Sequence, residues 1–326
     1  MKLLSPVNSF KSAEAQISSG ADEIYVGLKT DIFKRYSFSG RGQSSKACAT
    51  TVPDKEELKD IVNIAHNNNV KVSLTANVAM FSDGFDPQSK VESDYIKYVE
   101  TGLVCGIDNI IVGDIGLLHK LGGMSLPANL HASTFMDTMN EEQMLLLKEL
   151  GVERCILTYQ IGFEEIKTLC QQKLMEIEVF GYLSCSFFNG ACNLVHDMGE
   201  VNENEEVLIG VPCKSEYRVH EEGRAETVLP FLDAELGCAL CSLKILSDVG
   251  VDVIKIAGRD RNYEMTSKIT SLFRQALNIA ESSETNEEYL GKIDGIKYKW
   301  WERIWCSKKC CKYKANEITN SYIGYQ

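Results

Sequence analysis

The chain has 326 residues, a formal net charge of −12, and 44% apolar and 9% aromatic side chains. That apolar share fills a sizeable core, which excludes a disordered chain, while no apolar run approaches the ~20 residues that span a bilayer, so no membrane segment is expected. The acidity argues against a phosphate-rich partner, so nucleic acid is not an expected ligand.

The opening MKLLSPV carries no basic segment followed by a long apolar stretch, and reads as unprocessed. Twelve cysteines without a secretory leader point to reduced thiols and metal ligation, hence to the cytoplasm.

In chain order, short β-branched runs at 2–7, 23–27, 70–76, 109–112, 129–132, 154–158, 176–180 and 251–256 predict strands. Between them, 10–19, 55–67, 93–106, 140–151, 163–171, 240–250 and 262–282 carry helical periodicity. Gly20, Gly106, Gly151 and Gly250 stand where a helix should stop before the next strand. Eight βα repeats imply parallel strands joined by right-handed crossovers. They favour an α/β fold of the (β/α)8 TIM type, with an open doubly wound sheet as the alternative.

The barrel takes residues 1–282 and carries a cysteine-rich insertion after strand seven, at about 182–241. Residues 283–326 read as a polar linker, around ESSETNEE, followed by a packing segment. Its Trp300, Trp301 and Trp305 are expected to form an interface or to cover the barrel's base.

In such a barrel the chemistry sits where strands end and βα-loops begin. Lys29, Asn77, Asp114, His131, Ser133, Thr134, Tyr159, Lys255 and Arg259 occupy those positions. Lys255 and Arg259, in IKIAGRDR, read as an anion clamp for a substrate carboxylate or phosphate, with Asn77 and Ser133 as further substrate contacts. His131, Asp114 and Tyr159 are the candidate catalytic groups. His131 would act as acid, base or hydrogen-bond donor, or be a satisfied structural histidine. Asp114 would orient a substrate hydroxyl or cap the next helix. The sequence holds no GxSxG, HExxH or P-loop string.

Cys185 and Cys192 stand in CSFFNGAC, Cys213 in GVPCKSEYR, and Cys238 and Cys241 in LGCALC. Thiolate sets of this size suit zinc or an iron–sulfur cluster. Cys238–Cys241 has the close spacing of a zinc pair, the wider gaps suit a cluster, and spacing leaves both open. Buried apolar packing is the alternative reading, and the favoured one for Cys105, Cys155 and Cys170. For Cys306, Cys310 and Cys311 a packing tail is weighed against a second thiolate patch.

The string EVFGYLSCSFFNGACNLV resembles the signature of the collagenase-like peptidase family U-thirty-two, and the likeness runs on through GVPCKSEYRV and LGCALCSLKILSDVGVDVIKIAGRDR. It covers most of residues 1–282. The resemblance implies a 4Fe–4S cluster on Cys185, Cys192, Cys213 and Cys238, as in members that hydroxylate transfer RNA, ribosomal RNA or the ubiquinone precursor ring without oxygen. It also implies prephenate as hydroxyl donor. Peptidase activity is the older label, and a non-catalytic, metal-stabilised partner subunit, working as a homo- or hetero-oligomer, is a third expectation.

The mouth departs from the family pattern. Glu178 stands one residue closer to the first cysteine, Val195 replaces a serine, Ala257 an acidic residue and Phe135 a glutamine, and strand six ends Thr158-Tyr159-Gln160. The expected substrate is therefore a small molecule or a peptide, and prephenate use is put in question.

Overall fold

The computed structural model describes residues 1–29, 51–77, 90–182, 217–220, 227–229, 237–306 and 311–313. Eight parallel strands close into a barrel: β1 (Lys2–Pro6), β2 (Glu23–Val26), β3 (Lys71–Ala76), β4 (Asn109–Val112), β5 (Asn129–Ala132), β6 (Val152–Ile156), β7 (Glu176–Tyr182) and, after a short β8–β9 hairpin (Tyr217–Val219, Thr227–Leu229), β10 (Val253–Ile256). β10 pairs with both β1 and β7, which completes the ring and excludes the open sheet.

The helices α1 (Phe10–Ser18), α2 (Lys55–Asn67), α3 (Val91–Cys105), α4 (Ile115–Gly122), α5 (Glu141–Glu149), α6 (Phe163–Gln172), α7 (Leu243–Val249) and α8 (Tyr263–Glu281) lie between and after the strands. Their starts are written in side chains. Ser9, Asp54, Asp114, Asn140 and Asn262 each accept a backbone N–H of the first turn, satisfying donors that a helix leaves open. Gly106 and Gly250 close α3 and α7 in the left-handed region, with φ of 90° and 97°, where a side chain would be strained.

Alternation along the strands divides their side chains between two cores. Leu3, Ile24, Leu74, Ile110, Ile177 and Ile254 are buried with the apolar stripes of the helices, among them Leu58, Ile61, Leu118, Leu147, Ile166 and Phe273. The opposite phase is charged. Glu23, Arg154, Glu178 and Lys255 are all buried, where barrels usually hold branched aliphatics.

Two expectations change beyond the barrel. The string ESSETNEE is more than a linker: Thr285 caps α9 (Asn286–Ile293) and accepts the N–H of Glu288. A 3-10 turn (Asp294–Ile296), α10 (Lys299–Trp301) and one wide turn (Glu302–Cys306) follow. The tryptophans pack at the C-terminal end of β7 and leave the base alone. Trp301 packs tilted against Tyr182 and Trp305 meets it edge-on, with centroids at 5.4 and 5.2 Å, and Trp301 also meets Phe273 edge-on. Strand β7 runs its aromatic pattern to Tyr182, which leaves this end apolar and in need of cover.

Candidate active site

A ladder of charges climbs the inside of the barrel. Lys2 Nζ lies 2.7 Å from Glu176, whose Oε2 accepts from Arg154 Nε and Nη2 at 2.9 and 2.7 Å. Arg154 also donates to both oxygens of Glu23, at 2.6 and 2.8 Å, and to Glu178 at 3.3 Å. Glu178 receives Lys255 Nζ at 2.8 Å on its other oxygen. The register explains the meeting: Arg154 pairs with Glu176 across β6–β7, and Lys255 with Phe180, two residues above Glu178, across β7–β10.

Burial lowers the proton affinity of Arg154, but Glu23, Glu178 and Glu176 more than reverse this and hold it charged. Burial also lowers Lys255, and Glu178 offsets that only in part, so Lys255 releases a proton more readily than an ordinary lysine.

Above this ladder the mouth is aromatic and cationic. Lys255 Nζ lies 4.5 Å from the Tyr25 ring centroid and 5.9 Å from that of Phe180. The Arg259 guanidinium sits 5.7 Å from the same Tyr25 ring centroid, and its Nη1 donates to Thr75 Oγ1 at 2.8 Å. The two members of the expected anion clamp thus share one ring. Lys255 is neutralised by Glu178, whereas Arg259 is positioned by a hydroxyl and by Asn8, which donates to its backbone carbonyl.

The other candidates separate. Asp114 caps α4, its Oδ1 accepting the Leu117 N–H at 2.8 Å. Ser133 caps a 3-10 turn (Thr134–Met136) through the Phe135 N–H. His131 lies within β5 beside Arg154 in the register, fully buried, with Nδ1 lacking a partner among the described residues. Burial, then Arg154 and Lys255, hold it well below the ordinary histidine range, so it is a neutral imidazole at neutral pH. Asn77, just past β3, has a buried Oδ1 likewise without a partner among the described residues. Tyr159 reaches the mouth, edge-on to Phe180 at 6.1 Å.

Of the proposed cluster ligands, Cys185, Cys192 and Cys213 lie outside the described residues, as do Cys48 and Cys310. Cys238 is buried directly beside the end of β7: its backbone bridges to Tyr182, and Ala239 N–H donates to Gly181 at 2.8 Å. Burial raises its thiol, and so do Cys241, Cys311 and Cys306 around it. A thiolate there needs a cation for company, so Cys238 fits a metal ligand by chemistry and position. No group of three or more ligating side chains is preformed for a metal among the described residues.

Arg154 and Glu23 escape a reading by strand ends because they lie inside β6 and β2. Their signal is charge at the inward phase of a barrel strand, seen also in the EIEVF of β7. Lys312, from the far tail, carries no such signal. It arrives at the mouth because its N–H donates to the Cys238 carbonyl at 2.9 Å, and its Nζ lies 3.4 Å from the Tyr159 ring centroid.

Comparison with known proteins gives this geometry a lineage. Residues 8–315 match peptidase family U32. A 23S rRNA 5-hydroxycytidine synthase of Escherichia coli is 25% identical over 283 residues, 85% of this chain but 39% of the relative. The tRNA hydroxylation protein P1 of Bacillus subtilis is 23% identical, over 90% of this chain and 68% of its own length. A collagenase of Porphyromonas gingivalis is 20% identical, over 90% and 69%. Among solved structures, the U32 peptidase Mk0906 superposes with a TM-score of 0.46 at 14% identity, over 79% of this chain and 93% of that one. The match to one family over nearly the whole barrel and the start of the tail means that the chain belongs to peptidase family U32.

Proposed function

We propose that the chain is an iron–sulfur-dependent, oxygen-independent hydroxylase of the cytoplasm, with Cys185, Cys192, Cys213 and Cys238 as cluster ligands. The observation that carries the reading is the Glu178–Lys255 pair, buried beneath a cationic, aromatic mouth at whose rim Cys238 is anchored. Relatives named for RNA hydroxylation support the reaction class.

A bound cluster would supply electrons and a Lewis-acidic iron. The chain's own groups do the rest. Tyr25 and Phe180 give the mouth an aromatic lining that holds Lys255 by its cation and favours an aromatic substrate beside it. Arg259 presents a planar fork to an anionic substituent. Lys255, held by Glu178 and weakened by burial, can hand a proton to an oxygen atom on which negative charge develops. His131, held as a neutral imidazole, transfers no proton in this scheme.

A small aromatic substrate satisfies both the hydroxylation chemistry of the relatives and the −12 net charge, which disfavours a large RNA surface. Prephenate is a less natural donor here, since the residues around the mouth depart from the family pattern. A peptidase needs a nucleophile joined to a base, and the unpartnered Nδ1 of His131 offers no such pair.

Purification without oxygen tests the cofactor. The expected protein is brown and carries about four irons and four sulfides per chain, lost in Cys238→Ser and kept in Cys170→Ser. A colourless protein with one zinc sinks the hydroxylase reading. Mass spectrometry of metabolites and RNA from cells with and without the protein then identifies the substrate by the gain of one oxygen. A change confined to RNA would reassign it, and no change in either pool would return the peptidase label to first place.

A further inference from the structure

Glu178 divides its carboxylate between two cations. One oxygen receives Lys255 Nζ at 2.8 Å, while the other meets Arg154 Nη1 at 3.3 Å, the longest contact that Arg154 makes with an acid. The length has a cause. Both terminal nitrogens of Arg154 are drawn to Glu23, at 2.6 and 2.8 Å, and Nε and Nη2 also reach Glu176, at 2.9 and 2.7 Å. Lys2 Nζ closes the lower end, 2.7 Å from Glu176 and 3.5 Å from Glu23. Glu23, Arg154 and Glu178 are 1%, 2% and 0% exposed, so water screens these charges little. Glu23 thus decides how far Arg154 leans on Glu178, and Arg154 decides how much of Glu178 is left for Lys255.

Branched aliphatic side chains fill this layer in most barrels and avoid the cost of burying charge. A buried pair such as Glu23–Arg154 therefore calls for a role beyond stability. Resting on the reading in which Lys255 delivers the proton, we propose that Glu23 and Arg154 are positioning residues for Lys255. Arg154 takes up part of the Glu178 carboxylate, and Glu23 limits how much it takes. Neither touches the substrate, since both lie inside their strands. The direction of each influence follows from its charge. Glu178 strengthens the hold of Lys255 on its proton and Arg154 weakens it, in addition to the larger effect of burial. Glu23 acts by way of Arg154. The other groups facing Lys255 are Arg259 beyond β10, which also weakens that hold, the Tyr25 phenol on β2 and the neutral His131 on β5. Lys312 lies beyond the Phe180 ring.

The test follows Lys255 itself by NMR. The full chain, purified without oxygen, carries lysine labelled with carbon-13 at Cε, and the Lys255 signal is the one lost in Lys255→Arg. Its pH midpoint is read in the parent and in two variants. In Glu23→Gln, Arg154 closes on Glu178, and the midpoint should fall by about one pH unit, a roughly tenfold weaker hold on the proton. The double variant Glu23→Leu with Arg154→Met removes both charges and keeps the barrel filled, so the midpoint should rise above the parent's by about one unit. A role in folding alone would lower the thermal unfolding temperature of both variants without moving the two midpoints in opposite directions. An unmoved midpoint in Glu23→Gln, or midpoints that shift the same way in both variants, overturns the proposal. Iron and sulfide are assayed in the same samples. A metal-free parent removes the hydroxylase reading and leaves the titration to be judged by itself, whereas midpoints that fail to oppose one another remove the positioning role with the cluster in place.

Discussion

His131 shows how far one side chain's meaning depends on depth. At a strand end it would be a proton carrier, but within β5, beside Arg154, it is a neutral ring in a cationic neighbourhood. Because its folded proton affinity is depressed, the unfolded chain binds more protons whenever the pH falls below about 6.5, the ordinary histidine value. Stability contributed by His131 is therefore present above that pH and is lost progressively below it. Lowering the pH from 7.5 to 5 should therefore lower the stability of the folded chain through this residue. In His131→Leu the urea midpoint should fall less over the same interval. An unchanged slope would show that the imidazole titrates freely. Glu178 is the converse case, a charge that holds two others. Glu178→Leu leaves Arg154 and Lys255 facing each other across a buried gap, and should lower stability by about 3–5 kcal/mol. Denaturant titration measures it, and a loss under 1 kcal/mol would mean that water reaches the ladder.

Elements were the most legible level. The strand runs fall on β1 to β7 and β10 with shifts of a residue or two, because parallel barrel strands carry dense β-branched sequence bounded by turns. The barrel helix missed was α4, in GDIGLLHKLGG, which is only eight residues long and is flanked by glycines. Its start is Asp114, so of the two roles open to this residue the structure shows the cap. Asp114→Ala should then cost about 1 kcal/mol, and Asp114→Ser only a few tenths, with thermal unfolding as the readout. Equal losses of product formation in Asp114→Ala and Asp114→Ser, with no change in unfolding, would return Asp114 to the catalytic set.

At the scale of the molecule, the tail is a structural part of the mouth. Trp301 is fully buried between Tyr182 and Phe273, so Trp301→Ala should cost about 3–5 kcal/mol. It should also raise protease cleavage after residue 293, and tail cleavage no faster than in the parent would show that the contact is dispensable. Local pattern determined the alternation of strands and helices, the helix caps and the cysteine signature, because each of these is written in residues a few positions apart, whereas closure into a barrel rests on the pairing of β10 with β1 and β7. Only the closed fold decided which charges meet. Glu23, Arg154, Glu178 and Lys255 are separated by up to 232 positions, and they pair because ring closure brings β2, β6, β7 and β10 around one axis. The same holds for Lys312 and Tyr159. A lysine in a polar tail reads as solvated from its neighbours in sequence, and becomes a buried amine only when the tail's tryptophans dock on Tyr182 and carry it over the barrel.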